Sequence, residues 1–306
     1  MARILCWRTG TRLLSSRVHT PACPVAVAPR LAESPGRRSG VDADAGSDAD
    51  CPRAALPGKG LRLKELLRTL VSGVGVVGLT GTASAAVSAL TFLDERAPDP
   101  VLQVWADSTL RISGVRTACR GLENLPPGNF VLAVNHQSNF DAMVLFRHIR
   151  RHMRFVAKQQ LRRVPVFGYA LERAGNVFVD RSGGETDKQR LKEAAAQVRD
   201  RVSVVFFAEG TRSDDGVLKP FKKGAAIMAL EAQVPLVPAA LAGTWAILPK
   251  GTIAIRPKPA ALVIGKPLET KGLGVEAREA LTQQAHDAVA ALLEEANAML
   301  PELERA

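Results

Sequence analysis

The chain is expected to fold as an α/β domain, a mixed and largely buried sheet flanked by helices, with a membrane-embedded helical segment on its N-terminal side. Three observations carry that expectation. Short apolar runs rich in β-branched and aromatic residues recur along the chain: NFVLAV (129–134), MRFVA (153–157), NVFVD (176–180), VSVVFF (202–207) and VPLVPAAL (234–241). Amphipathic, helix-like stretches stand between or beside them, DAMVLFRHIRR (141–151), ETDKQRLKEAAAQVRDR (185–201) and KKGAAIMALEA (222–232). Strand and helix in alternation call for crossover connections and strands covered on both faces. Finally, the 25 residues between Arg68 and Asp94 carry no charge.

Residues 1–60 show neither helical nor strand periodicity, and ESPGRRSGVDADAGSDAD (33–50) has the composition of a flexible linker. The first thirty residues hold Arg and Ser but no acid, as a targeting segment would. A start codon placed upstream of the true one gives the same composition. Residues 61–98 follow as a membrane-associated helical segment. The basic lead-in LRLKELLRTL opens onto VSGVGVVGLTGTASAAVSALTFL (71–93). As one helix the uncharged stretch extends about 37 Å, enough to cross a hydrocarbon core of about 30 Å. Gly78-Leu79-Thr80-Gly81 in its middle also fits two shorter helices that enter one leaflet and return. Residues 99–306 are expected to form the α/β domain. A further pair of strands fits 252–265. Leu281, Ala285, Ala288, Leu292, Ala296 and Met299 recur at three- and four-residue steps, which predicts a closing helix over 276–299.

The formal net charge of +11 points to an anionic partner, nucleic acid or an anionic lipid surface. With aromatics at 5% and a single Tyr, stacking on single-stranded nucleic acid is disfavoured, and membrane or phosphorylated substrate is expected. Cys6, Cys23, Cys51 and Cys119 form no CxxC pair, so neither a disulfide framework nor a zinc site follows. The expected location is a membrane, a bacterial inner membrane, with the domain of residues 99–306 on its cytoplasmic face.

Chemistry concentrates in three stretches. NHQSNFD (135–141) follows an apolar strand and opens a helix, which puts His136 at a strand end, where α/β sites gather. Asp141 is placed to accept the second ring N–H of His136, the orienting role of an acid beside a catalytic base. An Asp that merely caps a helix beside a structural His reads the same way. Ser138 could be a nucleophile, yet a base can also act directly on a substrate hydroxyl. In FFAEGTRS (206–213) a strand ends in Glu209-Gly210-Thr211-Arg212, where Gly allows close backbone approach and Thr and Arg supply donors for a phosphate. In GNVFVDRSGG (175–184), Arg181 follows a strand and precedes two glycines, a place for a fixed guanidinium facing an anion. Lys219, Lys222 and Lys223 around Phe221 form a charge run that could meet anionic headgroups. His19, His148, His152 and His286 match no motif, and His148 and His152 are expected on the surface.

NHQSNFD, GNVFVDR, FAEGTRS and VPLVPA occur in the order of the four motifs of the lysophosphatidic acid acyltransferase family (1-acyl-glycerol-3-phosphate acyltransferases), which this sequence resembles over about residues 100–270. Lys158, Leu161, Pro165, Gly168 and Gly175 are similar to the family's segment before its Asp-Arg pair. One departure is Ala208, where the family usually has Pro, which should loosen the turn without removing a functional group.

The resemblance implies a glycerolipid-acyltransferase-like domain with His136 as general base and Asp141 as its partner. It assigns Arg181, Glu209, Gly210, Thr211 and Arg212 to the substrate phosphate. Val234, Pro235, Leu236, Val237 and Pro238 go to the acyl or thioester side, and 61–93 corresponds to the family's membrane motif. The implied reaction moves a fatty acyl group from acyl-CoA or acyl-ACP to the sn-2 hydroxyl of 1-acyl-glycerol-3-phosphate, giving phosphatidic acid for phospholipid biosynthesis. Implied partners are a phospholipid membrane, lysophosphatidic acid, and coenzyme A or acyl carrier protein as donor carrier, with no nucleic acid. No cofactor or metal is implied, because the thioester is already activated. Rival readings are another lysophospholipid or a lyso-aminolipid as acceptor, a membrane-associated serine esterase built on Ser138 and His136, and a non-catalytic basic binding protein.

Overall fold

A computed structural model describes residues 63–179 and 201–305 and, between these spans, Gln189, 193–196, 198 and 199; side chains are described from Thr69 onward. The targeting or linker region assigned to 1–60 lies outside the described residues, as do Asp180 and Arg181.

Helix α1 (Leu63–Leu90) is continuous through Gly78 and Gly81. It runs antiparallel to α2 (Asp99–Ile112): Ser72 Oγ donates to the Ile112 carbonyl, Trp105 Nε1 donates to Thr80 Oγ1, and Val87 packs with Val101 and Leu102. Thr80, Thr82, Ser84 and Ser88 donate back to carbonyls four residues earlier, so their hydroxyls are satisfied within the helix. The two faces are inverted relative to a helix in water. Ser72 and Ser84 are buried, while Leu70, Val71, Val74 and Val77 are 62–73% exposed. From Thr69 to Leu90 the helix is long and apolar enough to cross a membrane, the one such helix among the described residues. α2 was not expected. Its apolar stripe is short, with only Ala106, Thr109 and Leu110 buried, although Pro100 in its first turn and Arg111 in its last are ordinary helix signals.

A seven-stranded sheet follows: β1 (Thr117–Arg120), β2 (Val131–Val134), β3 (Met153–Lys158), β4 (Val177–Val179), β5 (Ser203–Phe207), β6 (Leu236–Ala242) and β7 (Ala260–Ile264). The order is β1-β7-β6-β2-β5-β3-β4, and every pairing is parallel except β6 with β7. The mixed, buried sheet flanked by helices is the expected fold. All five expected strands form.

Residues 252–265 yield one strand where two were expected. Pro257 and Pro259 have no N–H to give a ladder, and pairing begins only when Ala260 N–H meets the Arg116 carbonyl. Edge strand β1 was missed because it is only partly buried and shows no apolar run.

The central strands read as continuous apolar runs because both faces are covered. On one face Leu132, Val134, Val205, Val237 and Ala239 meet α2 and α3 (Asp141–His148) through Leu110, Val144 and Leu145. On the other, Val131, Ala133, Val204 and Phe206 meet α5 (Gly224–Ala232) and the start of α7 (Arg278–Arg305). Between β3 and β4 lies α4 (Phe167–Arg173), and α6 (Thr244–Ile247) follows β6. The buried stripe of α7 runs Leu281, Ala285, Val289, Leu293, Ala296 and Met299. Val289 and Leu293 thus replace the expected Ala288 and Leu292 at its centre, one position round the same face.

Candidate active site

Val134 and Phe207 are register partners at the C-terminal ends of two adjacent parallel strands, β2 and β5. The loops that leave them, 135–141 and 208–213, therefore start side by side on one edge of the sheet. Two hydrogen bonds lock them at His136 itself. Its N–H donates to Glu209 Oε1 at 2.8 Å, and its carbonyl accepts from the Ser213 N–H at 2.7 Å. Ala208 N–H donates to the Val134 carbonyl, and the Ala208 carbonyl accepts from the Lys222 N–H. The turn expected to be loosened by Ala208 is instead tied at both backbone groups, and a Pro there would lack the first of these bonds.

The imidazole is held on two sides. Nδ1 lies 2.7 Å from Asp141 Oδ2, and the ring stacks on Phe207 at 3.9 Å between centroids and 16° between planes. Asp141 is fully buried. Its Oδ2 also accepts from the N–H groups of Gln137 and Ser138, and its Oδ1 accepts from the Thr244 hydroxyl. It therefore closes the loop ahead of α3 and holds the histidine ring at once; it is not the helix N-cap, a place taken by Phe140. As acceptor from these groups it takes the Nδ1–H tautomer, leaving Nε2 with a lone pair. Nε2 has no partner among the described residues.

Two supporting groups carried no sequence signal. Asn135 Nδ2 donates to the Leu241 carbonyl and its Oδ1 accepts from the Leu241 N–H, which fastens the loop to the end of β6. Thr244, just past β6, reaches Asp141 from another element. Both depend on strand neighbours more than a hundred residues apart in sequence. Ser138 is buried and donates its hydroxyl to the Leu248 carbonyl rather than to His136, which leaves the serine-esterase reading without its nucleophile.

In the second loop, Gly210 has φ +75°, and a Cβ there would lie 2.9 Å from Lys222 Cε. Only glycine suits both the left-handed backbone and the lysine stem lying across it. Thr211 is exposed and Arg212 half-buried. Lys219 Nζ donates to the Arg212 carbonyl. Glu209 is buried, and its Oε2 has no partner among the described residues. Burial pushes its carboxyl up to about 7, against the lowering effect of the His136 and Lys219 N–H groups.

The expected site residues are not all gathered. His136, Asp141, Glu209, Gly210, Thr211 and Arg212 share one edge; Arg181 lies outside the described residues. Val234 to Pro238 begin at the opposite edge, where Leu236 is level with Val131, and Val234, Leu236, Val237 and Pro238 are buried in the sheet. His148 and His152, expected on the surface, are half-buried and partnered, His148 Nε2 with Thr117 Oγ1 at 2.9 Å and His152 Nδ1 with Asp99 Oδ2 at 2.6 Å.

A family profile described as "Acyltransferase" matches residues 116–242, the span from β1 to the end of β6. A chloroplastic 1-acyl-sn-glycerol-3-phosphate acyltransferase of Brassica napus is 33% identical over 68% of this chain and 63% of its own length. A protein of the same name from Limnanthes alba is 34% identical over 50% and 55%. The chain thus spans less than two thirds of the length of these relatives. Among solved structures, the 1-acyl-sn-glycerophosphate acyltransferase PlsC of Thermotoga maritima superposes with a TM-score of 0.67 at 25% identity, covering 77% of this chain and 97% of that one. Four motifs in order, a shared fold and these relatives agree: the chain belongs to the 1-acyl-sn-glycerol-3-phosphate acyltransferase family of glycerolipid acyltransferases.

Proposed function

We propose that this chain transfers a fatty acyl group from an acyl thioester, carried on coenzyme A or acyl carrier protein, to the 2-hydroxyl of 1-acyl-glycerol-3-phosphate, forming phosphatidic acid. The observation that carries the reading is the His136 imidazole, with Nδ1 engaged by Asp141, one face on Phe207, and Nε2 left for substrate beside the 209–212 loop. Nε2 takes the hydroxyl proton as the acceptor oxygen attacks the thioester carbonyl. The C–S bond breaks as the tetrahedral adduct collapses, and the imidazolium returns the proton to the leaving thiolate. Between those steps the Asp141 charge stabilises the imidazolium.

The phosphate is assigned to Arg212, Gly210 and Thr211, with Arg181 completing the set; their contribution is orientation of the acceptor. Glu209 belongs to the same site through the His136 N–H that it holds. The apolar stretch Val234–Pro238 opens β6 at the opposite edge and bears on the site only through the far end of that strand, which brings Leu241 and Thr244 to the catalytic loop. We place the chain at a membrane, with the catalytic domain on its cytoplasmic face. Membrane contact is supported by the aliphatic outer face of α1, opposite its buried hydroxyls, an arrangement suited to an apolar surrounding. α2, packed along α1 from Ser72 to Val87, joins that helix to the catalytic domain, with Ala106 and Leu110 in the core against the sheet.

Purified protein in detergent, assayed with a panel of lysophospholipids and both thioester donors, tests the reading. His136→Ala should lower kcat by about 10²–10⁴-fold, the range of general-base catalysis. Near-wild-type transfer by a folded His136→Ala protein would overturn it.

A further inference from the structure

We propose that the segment from Lys158 to Arg173, which leaves the C-terminal end of β3, is a second membrane-contact surface that docks on the headgroup layer of an anionic bilayer. The inference rests on the membrane reading of α1 and adds to it a surface of the catalytic domain. Every residue from Gln160 to Val166 is exposed. Among them and just beyond stand large apolar side chains: Val164 is 42%, Val166 55% and Tyr169 52% exposed. A water-facing loop of this length in a globular domain is normally polar. This one interleaves its apolar groups with Lys158, Arg162, Arg163 and Arg173, and its one acid, Glu172, is paired with Arg162. Cations around protruding apolar and tyrosyl groups complement an anionic interface, the apolar groups entering the headgroup boundary and the cations meeting phosphates.

The backbone is built to present this tip. Val166 has φ 61° and ψ −56°, and the Phe167 N–H donates to the Pro165 carbonyl at 2.6 Å. That is a γ-turn with positive φ, a conformation rarely adopted by a β-branched residue. It turns the Val166 side chain outward, where it gains nothing in water. Beneath it, a Cβ on Gly168 would lie 2.4 Å from the Arg162 carbonyl oxygen, so the 159–163 turn is seated hard on the start of α4. A strained turn on a firm seat with an apolar residue at its apex is accounted for when that apex is buried in something else.

Position supplies the occupant. α4 packs against the C-terminal half of α1, with Ala170 and Ala174 on Val87, and Arg173 lies over the exposed Phe92 ring at 4.2 Å. The tip thus continues the surface on which the outer face of α1 ends, in Phe92 and Leu93. Because β3 runs parallel to β5, its C-terminal end also lies on the sheet edge that carries His136. A bilayer touching both α1 and this tip brings its surface to the edge where a lipid acceptor has to arrive.

An environment-sensitive fluorophore placed by Val166→Cys or Tyr169→Cys tests this in full-length protein whose four native cysteines are replaced by alanine. The protein is reconstituted in vesicles of phosphatidylcholine and phosphatidylglycerol in equal parts, with a spin label on the lipid chains or headgroups. Labels at 166 and 169 should be quenched by the lipid-borne quenchers as strongly as one at Val74→Cys on α1, whereas Leu273→Cys, beside Gln233 at the far edge of the sheet, should not. Water-like readings at 166 and 169 with quenching at 74 overturn the proposal and leave the membrane reading of α1 standing; an unquenched label at all three overturns both. Immobilised but unquenched labels at 166 would assign the surface to a protein partner and overturn it too. Arg163→Glu with Val166→Asp should slow transfer to a vesicle-borne acceptor and spare transfer to a short-chain acceptor dissolved as monomer. Equal slowing on both acceptors would count against a lipid-docking role.

Discussion

Replacing Glu209 with Gln separates what this side chain does as a hydrogen-bond acceptor from what it does as a titrating group. In the wild type Oε1 accepts the His136 N–H, and burial pushes the carboxyl from 4.5 up to about 7. The folded protein therefore holds the proton more tightly than the unfolded chain. Stability from this group is fully present below pH 4.5 and is lost as pH rises through 7, a span that corresponds to about 3 kcal/mol. Gln keeps the acceptor for His136 and removes the titration. It buries an amide N–H₂ where Oε2 has no partner among the described residues, at a pH-independent penalty of about 1–3 kcal/mol. The assay is denaturant unfolding of both proteins in the same detergent from pH 4 to 8, read as the difference between them so that other titrating groups cancel. Wild type should be the more stable near pH 4.5, and its advantage should shrink or reverse by pH 8, by about 3 kcal/mol in all. A difference that stays flat across that range would refute the argument that burial keeps this carboxyl protonated.

His148 titrates with the opposite sign. Burial, then Arg147, lowers it to about 4, so its contribution is present above pH 6.5 and is lost as pH falls toward 4. His148→Gln should remove an acid-side loss of about 3 kcal/mol, measured by the same unfolding difference. Thr244→Val strips Asp141 Oδ1 of its hydroxyl donor inside the core. It should cost about 1–3 kcal/mol of stability and lower kcat more than it raises KM, checked by unfolding and steady-state kinetics. Arg212→Ala should raise KM for the phosphorylated acceptor by about 10–100-fold, the worth of a charge-assisted contact, and leave KM for the thioester donor near wild type; an unchanged acceptor KM removes it from the phosphate site.

The sheet was legible because its central strands are buried on both faces. Val131 to Val134, Ser203 to Phe207 and Leu236 to Ala242 therefore stand out as apolar runs between polar segments. β1 was not, since an edge strand needs no such run. Nor was the continuity of α1 across Gly78 and Gly81, which local propensity argues against. Gly78 and Gly81 face open space, whereas Gly75 lets Ile112 approach and hydroxyl-to-carbonyl bonds within the helix occupy Thr80 and Ser84. Within the site, the residues that touch within one loop could be inferred from spacing, as with His136 and Asp141. Those that reach across strands could not. Nothing in the sequence near Asn135 announces Leu241, and nothing near Asp141 announces Thr244.

Glu209 is where the two kinds of information meet. As part of Glu-Gly-Thr-Arg it reads as one member of an anion-binding loop, yet a carboxylate beside a phosphate would repel it. The fold resolves the conflict in two ways. Glu209 points inward to the His136 N–H, whereas Thr211 is exposed and Arg212 half-exposed on the outer side of the loop. Burial also raises its carboxyl to about 7, which lessens the negative charge it carries near neutral pH. On the proposed function the same turn has two tasks: its inner residue holds the His136 N–H, its outer residues are the ones assigned to the acceptor phosphate, and Gly210, crossed by the Lys222 stem, allows the backbone to pass between them. The bond between the two loops depends on their starting side by side on adjacent parallel strands. A one-residue slip of β5 against β2 would part Phe207 from Val134, carry Glu209 out of reach of the His136 N–H, and leave a free histidine beside a loop facing the wrong way.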